Sequence, residues 1–232
     1  MLATRLIMAK TGSGEDNLTS LTYYDRTLDT GNIGVTRTNT LNIGPEPSAG
    51  EKRILYVCAG LAVNNTTFEI TSMSCNGNSM TEIVTAKHNP SGLAFSGIYR
   101  IEENTGTTAS FTLTRTAGSS FTSGGFLVYS LIMSNSATII DYDTSTDTVS
   151  PINLSLDTPN KKSFIIGASA CRNGSTSTWS GLTEDEDFDM DSTDFLSSAS
   201  DEFTTAQTGY SVSSTNNGSP AQFAGCAVTI ST

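Results

Sequence analysis

The densest run of chemistry-bearing side chains is Glu184-Asp185-Glu186-Asp187-Phe188-Asp189-Met190-Asp191-Ser192-Thr193-Asp194. Asp187, Asp189 and Asp191 copy the opening of an EF-hand calcium loop, where alternate carboxylates converge on one ion. The copy ends there. Position six is Ser192, where the loop needs glycine for its sharp turn, and position twelve is Ser198, where a bidentate glutamate belongs. The three aspartates are therefore candidates for a looser calcium site in a sandwich loop, since Ca2+ takes about six to eight oxygens from any source. Asp141, Asp143 and Asp147 form a second, weaker acidic cluster. The plainer alternative for both clusters is a solvated acidic loop.

Other chemistries lack their parts. A serine or cysteine nucleophile usually needs a base, and His88 is the one histidine, in Ala86-Lys87-His88-Asn89-Pro90, which reads as an exposed loop. No GxSxG elbow occurs, and one histidine with no CxxC pair does not make a zinc site. Paired carboxylates raise glycoside hydrolysis, but sugar clefts are lined by aromatic platforms, and this chain has a single Trp and 8% aromatic residues. Sugar binding without hydrolysis asks for less: Trp179 or an exposed tyrosine as platform, with ordinary core packing the favoured role for Trp179. No catalytic residue is assigned, and the chain reads as non-enzymatic, with no cofactor other than the candidate calcium.

Charge narrows the partners. The chain of 232 residues carries 12 Lys and Arg against 23 Asp and Glu, a net charge of −11. Phosphate backbones and anionic membranes are bound by basic clusters, so neither nucleic acid nor a membrane surface is an expected partner. No apolar core of signal-peptide length follows a basic start in the first ten residues, and no apolar stretch approaches the length of a membrane helix. Cys58, Cys75, Cys171 and Cys226 include no CxxC spacing, and three of them sit in apolar, strand-like runs. Buried free thiols are expected, which fits assembly in a reducing cytoplasm.

The elements that must position these residues are strands. Thr, Ser, Asn and Gly dominate the polar residues, and strands recur about every ten to twelve residues with turn signals between them. Arg53 to Val63 reads as an apolar strand buried on both faces. Asn76-Gly77, between Phe68–Cys75 and Met80–Val84, predicts a type I′ hairpin, because both central residues must take positive φ. Leu93 to Ile101, Ala109 to Arg115 and Gly125 to Met133 follow. A second half echoes the first: Ile152–Leu156, then Ser163 to Cys171 in the style of Ile54 to Val63, then Thr208–Ser213 and Gln222–Ile230. Residues 1–30 read as an N-terminal arm, with a linker-like Thr11-Gly12-Ser13-Gly14, and 31–232 as a single domain. The expected fold is all-β, an antiparallel β-sandwich with that arm.

The succession of Ser72-Met73-Ser74-Cys75-Asn76-Gly77-Asn78-Ser79-Met80-Thr81, Ser96-Gly97-Ile98-Tyr99-Arg100-Ile101 and Phe126-Leu127-Val128-Tyr129-Ser130-Leu131 resembles a jelly-roll-type sandwich module recurrent in phage structural proteins and bacterial surface proteins. The resemblance spans roughly 33–232, and its motifs are structural. It implies a jelly-roll-like fold and a virion surface role, as a capsid decoration (cement) protein or a head-fibre or knob protein. Capsid or other virion proteins are then the partners, the chain self-associates as a homo-oligomer such as a trimer, and assembly takes place in the host cytoplasm. Leu2, Leu6 and Ile7 are the candidate interface residues, since apolar residues on an arm bury against a partner. The alternative is a carbohydrate- or cell-surface-binding module that takes host glycans.

Overall fold

In the strand Lys52–Val63 the side chains alternate between two cores. Ile54, Tyr56, Cys58 and Ala62 enter one; Leu55, Val57, Ala59, Leu61 and Val63 enter the other. A strand covered on both faces needs a sheet on either side, and that requirement organises the molecule. The computed structural model describes residues 18–27, 35–63, 70–88, 93–116, 122–134 and 136–231. Among them the chain forms β1 (Leu18–Arg26), β2 (Thr36–Asn42), β3 (Lys52–Val63), β4 (Ile70–Cys75), β5 (Asn78–Ser79), β6 (Thr81–His88), β7 (Leu93–Glu102), β8 (Thr108–Arg115) and β9 (Thr122–Met133). It continues as β10 (Thr138–Asp147), β11 (Ile152–Thr158), β12 (Ser163–Arg172), β13 (Ser177–Ser180), β14 (Thr183–Asp191), β15 (Asp194–Phe203), β16 (Gln207–Asn216) and β17 (Gln222–Ser231). The strands pair antiparallel in four sheets, as the all-β sandwich reading expects. No helix long and apolar enough to cross a membrane occurs among the described residues.

The sheets repeat. The first half places β1-β9-β3-β7-β6 in one sheet and β2-β8-β4-β5 in another; the second places β10-β17-β12-β15-β14 in one and β11-β16-β13 in another. Strand for strand, β1 to β4 correspond to β10 to β13, and β6 to β9 to β14 to β17. Local devices repeat with the order. Lys52 Nζ lies 3.1 Å from Glu102 Oε2, and Lys162 Nζ lies 3.5 Å from Glu202 Oε2; each glutamate stands opposite the same register position, Ile54 or Phe164. Asp25 of β1 accepts the amide N–H of Asn42 in β2, as Asp141 and Asp143 of β10 accept those of Asp157 and Ser155 in β11. Such carboxylates occupy amides that an open sheet edge would offer to another chain.

The two five-stranded sheets pack face to face, so the layers run four-stranded, five-stranded, five-stranded, three-stranded. The central core joins Leu21, Tyr129 and Ile98 of the first unit with Phe164, Leu196 and Val228 of the second; each unit has its own outer core as well. The contacts between units exchange under a pseudo-two-fold. β17 packs on β7 and β6 as β9 packs on β15 and β14, and β3 crosses β12 at the centre. Small residues let the sheets meet. Gly60 and Gly125 are cross-strand partners; a Cβ on Gly60 would stand 2.6 Å from Leu196, and one on Gly125 would overlap the Phe188 ring. Two expectations shift. Residues 18–26, expected within an arm, are an edge strand whose Leu21 and Tyr23 enter the central core. Residues 31–232, expected as one sandwich, hold the rest of one unit and the whole of a second.

A turn and a buried arginine fix the ends. Asn76 (φ 49°) and Gly77 (φ 81°) make the expected hairpin turn, after which Met80 marks the point where the chain leaves β5 in the outer sheet and continues as β6 in the inner one. Arg53 is fully buried at the head of β3. Its guanidinium donates to five main-chain carbonyls: Gly44 (3.0 Å), Pro45 (2.8 Å), Glu103 (2.6 Å), Thr105 (2.8 Å) and Gly106 (2.9 Å). All five of its N–H groups are used, and they tie the β2–β3 loop to the β7–β8 loop.

Candidate functional site

The acidic run is a strand, β14, rather than a loop. Phe188 and Met190 turn into the central core, so Asp187 and Asp189 stand on the other face, about 7 Å apart along the strand, and a register shift after Asp189 puts Asp191 out of step with them. Asp187 is tied to the Ser177 amide of β13 (3.0 and 3.2 Å), Asp189 is exposed, and Asp191 sits at the turn into β15. No group of three or more His, Cys, Asp or Glu side chains is placed to hold a metal among the described residues. Asp141 and Asp143 are occupied with β11, as above.

Three of the remaining acids of the run link the two units. Asp185 accepts the Tyr129 hydroxyl (2.9 Å) and the Ser200 hydroxyl (2.6 Å), and Glu186 accepts Tyr23 (3.3 Å) and Arg26 (3.1 Å). Asp194, almost fully buried, accepts the Ser123 hydroxyl at 2.7 Å. Sequence reasoning missed this role; the signal available was the alternation of Phe188 and Met190 with charge.

Burial raises the Asp187 carboxyl from 3.8 to about 7, against the opposing hydrogen bonds from Ser197 and Ser177. Between those two values the folded protein holds a proton that the unfolded chain has lost, so this group's stabilising contribution is full below about pH 4 and fades as pH rises through 7. Asp187→Asn carries no such proton. Its melting temperature should therefore fall less than that of the parent between pH 4.5 and pH 7.5; equal falls in the two proteins would refute the assignment.

His88 ends β6 half-buried instead of lying in an exposed loop. Its Nδ1 is buried with no hydrogen-bond partner among the described residues, and burial lowers its pKa. Trp179 is core. It covers Gly167 and donates from Nε1 to Ser197 Oγ at 2.8 Å, which removes it as a sugar platform. The four cysteines are free and buried, as expected. Burial pushes the Cys75, Cys171 and Cys226 thiols up to about 12 and Cys58 well above its ordinary value, so none is a thiolate near neutral pH. Leu2, Leu6 and Ile7 lie outside the described residues.

An open cleft of about 450 Å³ is lined by Thr81, Glu82, Ile83, Arg100, Ile139 and Tyr142. It lies where the edge strand β6 of the first unit meets the edge strand β10 of the second. Both strands carry a bulge at this point, between Glu82 and Val84 and between Ile139 and Asp141. Bulges re-aim side chains and gather beside functional sites. Tyr142 is 59% exposed. The half-buried Arg100 has no hydrogen-bond or ion-pair partner among the described residues.

Fold and cleft together define an all-β protein of two repeated units sharing one central core. Comparison with family models, with curated proteins and with solved structures finds no match.

Proposed function

We propose that the chain is a structural component of a phage virion, a capsid decoration (cement) or head-fibre protein that works through its surfaces rather than by catalysis. The observation that carries this reading is the strand order. β1-β9-β3-β7 over β2-β8-β4, repeated as β10-β17-β12-β15 over β11-β16-β13, supports a jelly-roll reading, an architecture that viral capsid and lectin domains use. The net charge of −11 suits a protein displayed at high density, since like charges keep neighbouring copies from coalescing. Four thiols held without disulfides suit assembly in a reducing host cytoplasm. The partners are other virion proteins and further copies of this chain, joined through the segment that carries Leu2, Leu6 and Ile7.

Light scattering on the purified protein, with and without residues 1–17, tests the reading. The cut stops at 17 because β1 belongs to the fold. A closed oligomer such as a trimer that dissociates on truncation, together with binding of the full chain to capsid lattices, is the expected result. A monomer in both forms that leaves capsids uncoated would sink it.

A further inference from the structure

An edge strand offers a row of unpaired N–H and C=O groups to any other chain, and this protein caps most of its edges with aspartate. Asp25 accepts amides of β1 and β2, Asp141 and Asp143 accept those of β10 and β11, Asp187 accepts that of Ser177 in β13, and Asp201 accepts that of Thr183 in β14. β6, at the edge of the first inner sheet, differs. Among the described residues no side chain accepts an amide from Thr81 to Ala86; Glu82, the one carboxylate of the strand, takes the hydroxyls of Thr85 and Tyr99. Beside this edge lies the cleft of about 450 Å³, with Ile83, Ile139 and Tyr142 in its wall. Tyr142 holds in β10 the position that Tyr23 holds in β1, yet it is 59% exposed where Tyr23 is buried.

We propose, building on the assembly reading above, that residues 1–10 of one copy add as a strand to β6 of a neighbouring copy and bury Leu2, Leu6 and Ile7 against Ile83, Ile139 and Tyr142. Strand addition draws affinity from main-chain hydrogen bonds at an open edge and specificity from pockets for side chains. β6 has the first, and the cleft is the second. Charge names the occupant. Residues 1–10 carry Arg5 and Lys10 and no acid, so the net charge of −11 divides into +2 on this segment and −13 on the rest. Copies of so acidic a body repel one another, and a basic, apolar segment is the part of the chain that this body attracts. The reach is sufficient: the 17 residues before Leu18 extend up to about 60 Å. Arg100, in the cleft wall, adds N–H donors for main-chain carbonyls of the incoming strand, as Arg53 does for two loops. Its neighbour Glu102 is taken up by Lys52 and Asn104.

Photo-crosslinking on the full chain tests this. A photoreactive benzoylphenylalanine replaces Tyr142, and unlabelled and isotope-labelled protein are mixed at low concentration and reconcentrated before irradiation. Adducts between position 142 and residues 1–10 of the oppositely labelled copy are the expected result. Tyr142→Ala and Leu6→Asp should each lower the association constant, read by light scattering, at least about tenfold. The Tyr142 change removes an exposed side chain, so at dilutions where both proteins are monomers its unfolding midpoint should match the parent's. That match separates lost association from lost fold. Adducts confined within one copy, or an oligomer that Tyr142→Ala leaves intact, would overturn the proposal. An oligomer intact in Tyr142→Ala but lost on removal of residues 1–17 keeps the segment as the joint and places its receptor elsewhere. A parent that is monomeric at every concentration defeats both this inference and the assembly reading.

Discussion

Arg53→Met should lower the unfolding free energy by about 3–5 kcal/mol. Methionine fills much of the stem volume but donates nothing. Five carbonyls from two loops then lose their shared donor, and those that stay buried bear the cost of an unmade hydrogen bond, about 1–3 kcal/mol each. Arg53→Lys recovers part of the loss, because an ammonium has three donors and no planar fork. Urea unfolding of the three proteins reads the series directly. A loss below about 1 kcal/mol for Arg53→Met would mean that the loops at residues 43–46 and 103–106 hold each other by other means.

The second large effect lies at the meeting of the two units. Gly125→Val forces a branched side chain into the Phe188 ring, and overpacking a filled core costs about 1–3 kcal/mol or more. Phe188→Ala leaves a hole in the same place and costs about 3–5 kcal/mol. The two changes are complementary in volume, so the double variant should be less destabilised than the sum of the singles by about 1 kcal/mol or more in a double-mutant cycle. Strict additivity would show that the two faces do not meet at this point.

Much of the β architecture was legible because its signals are local. Val, Ile, Leu and Tyr runs mark β3, β7, β9, β12 and β17, and Asn76-Gly77 marks the hairpin through the backbone geometry it demands. The missed strands are the edges and their neighbours. β10 and β14 are rich in aspartate, a poor strand former, because edge strands turn charge toward solvent and use it to occupy open amides. β15 carries no long apolar run to mark it (Leu196-Ser197-Ser198-Ala199-Ser200), because its small residues make room for the opposing sheet. The cleft had no sequence signature at all. Arg100 and Tyr142 are 42 positions apart, and only the packing of one unit on the other brings them together. Trp179, the conspicuous aromatic, belongs to the core, while the exposed ring is the unremarked Tyr142.

The last strand of each unit lies in the interior of its inner sheet: β9 between β1 and β3, β17 between β10 and β12. On a ribosome, the first inner sheet therefore stays split until residues 122–133 have left the exit tunnel. Once closed, it still presents Tyr56, Leu127 and Leu131 to water until β17, ending at Ser231, completes the opposite face. Because such an exposed apolar face invites association with other nascent chains, the interval between release of the two units is when the growing chain most needs a chaperone.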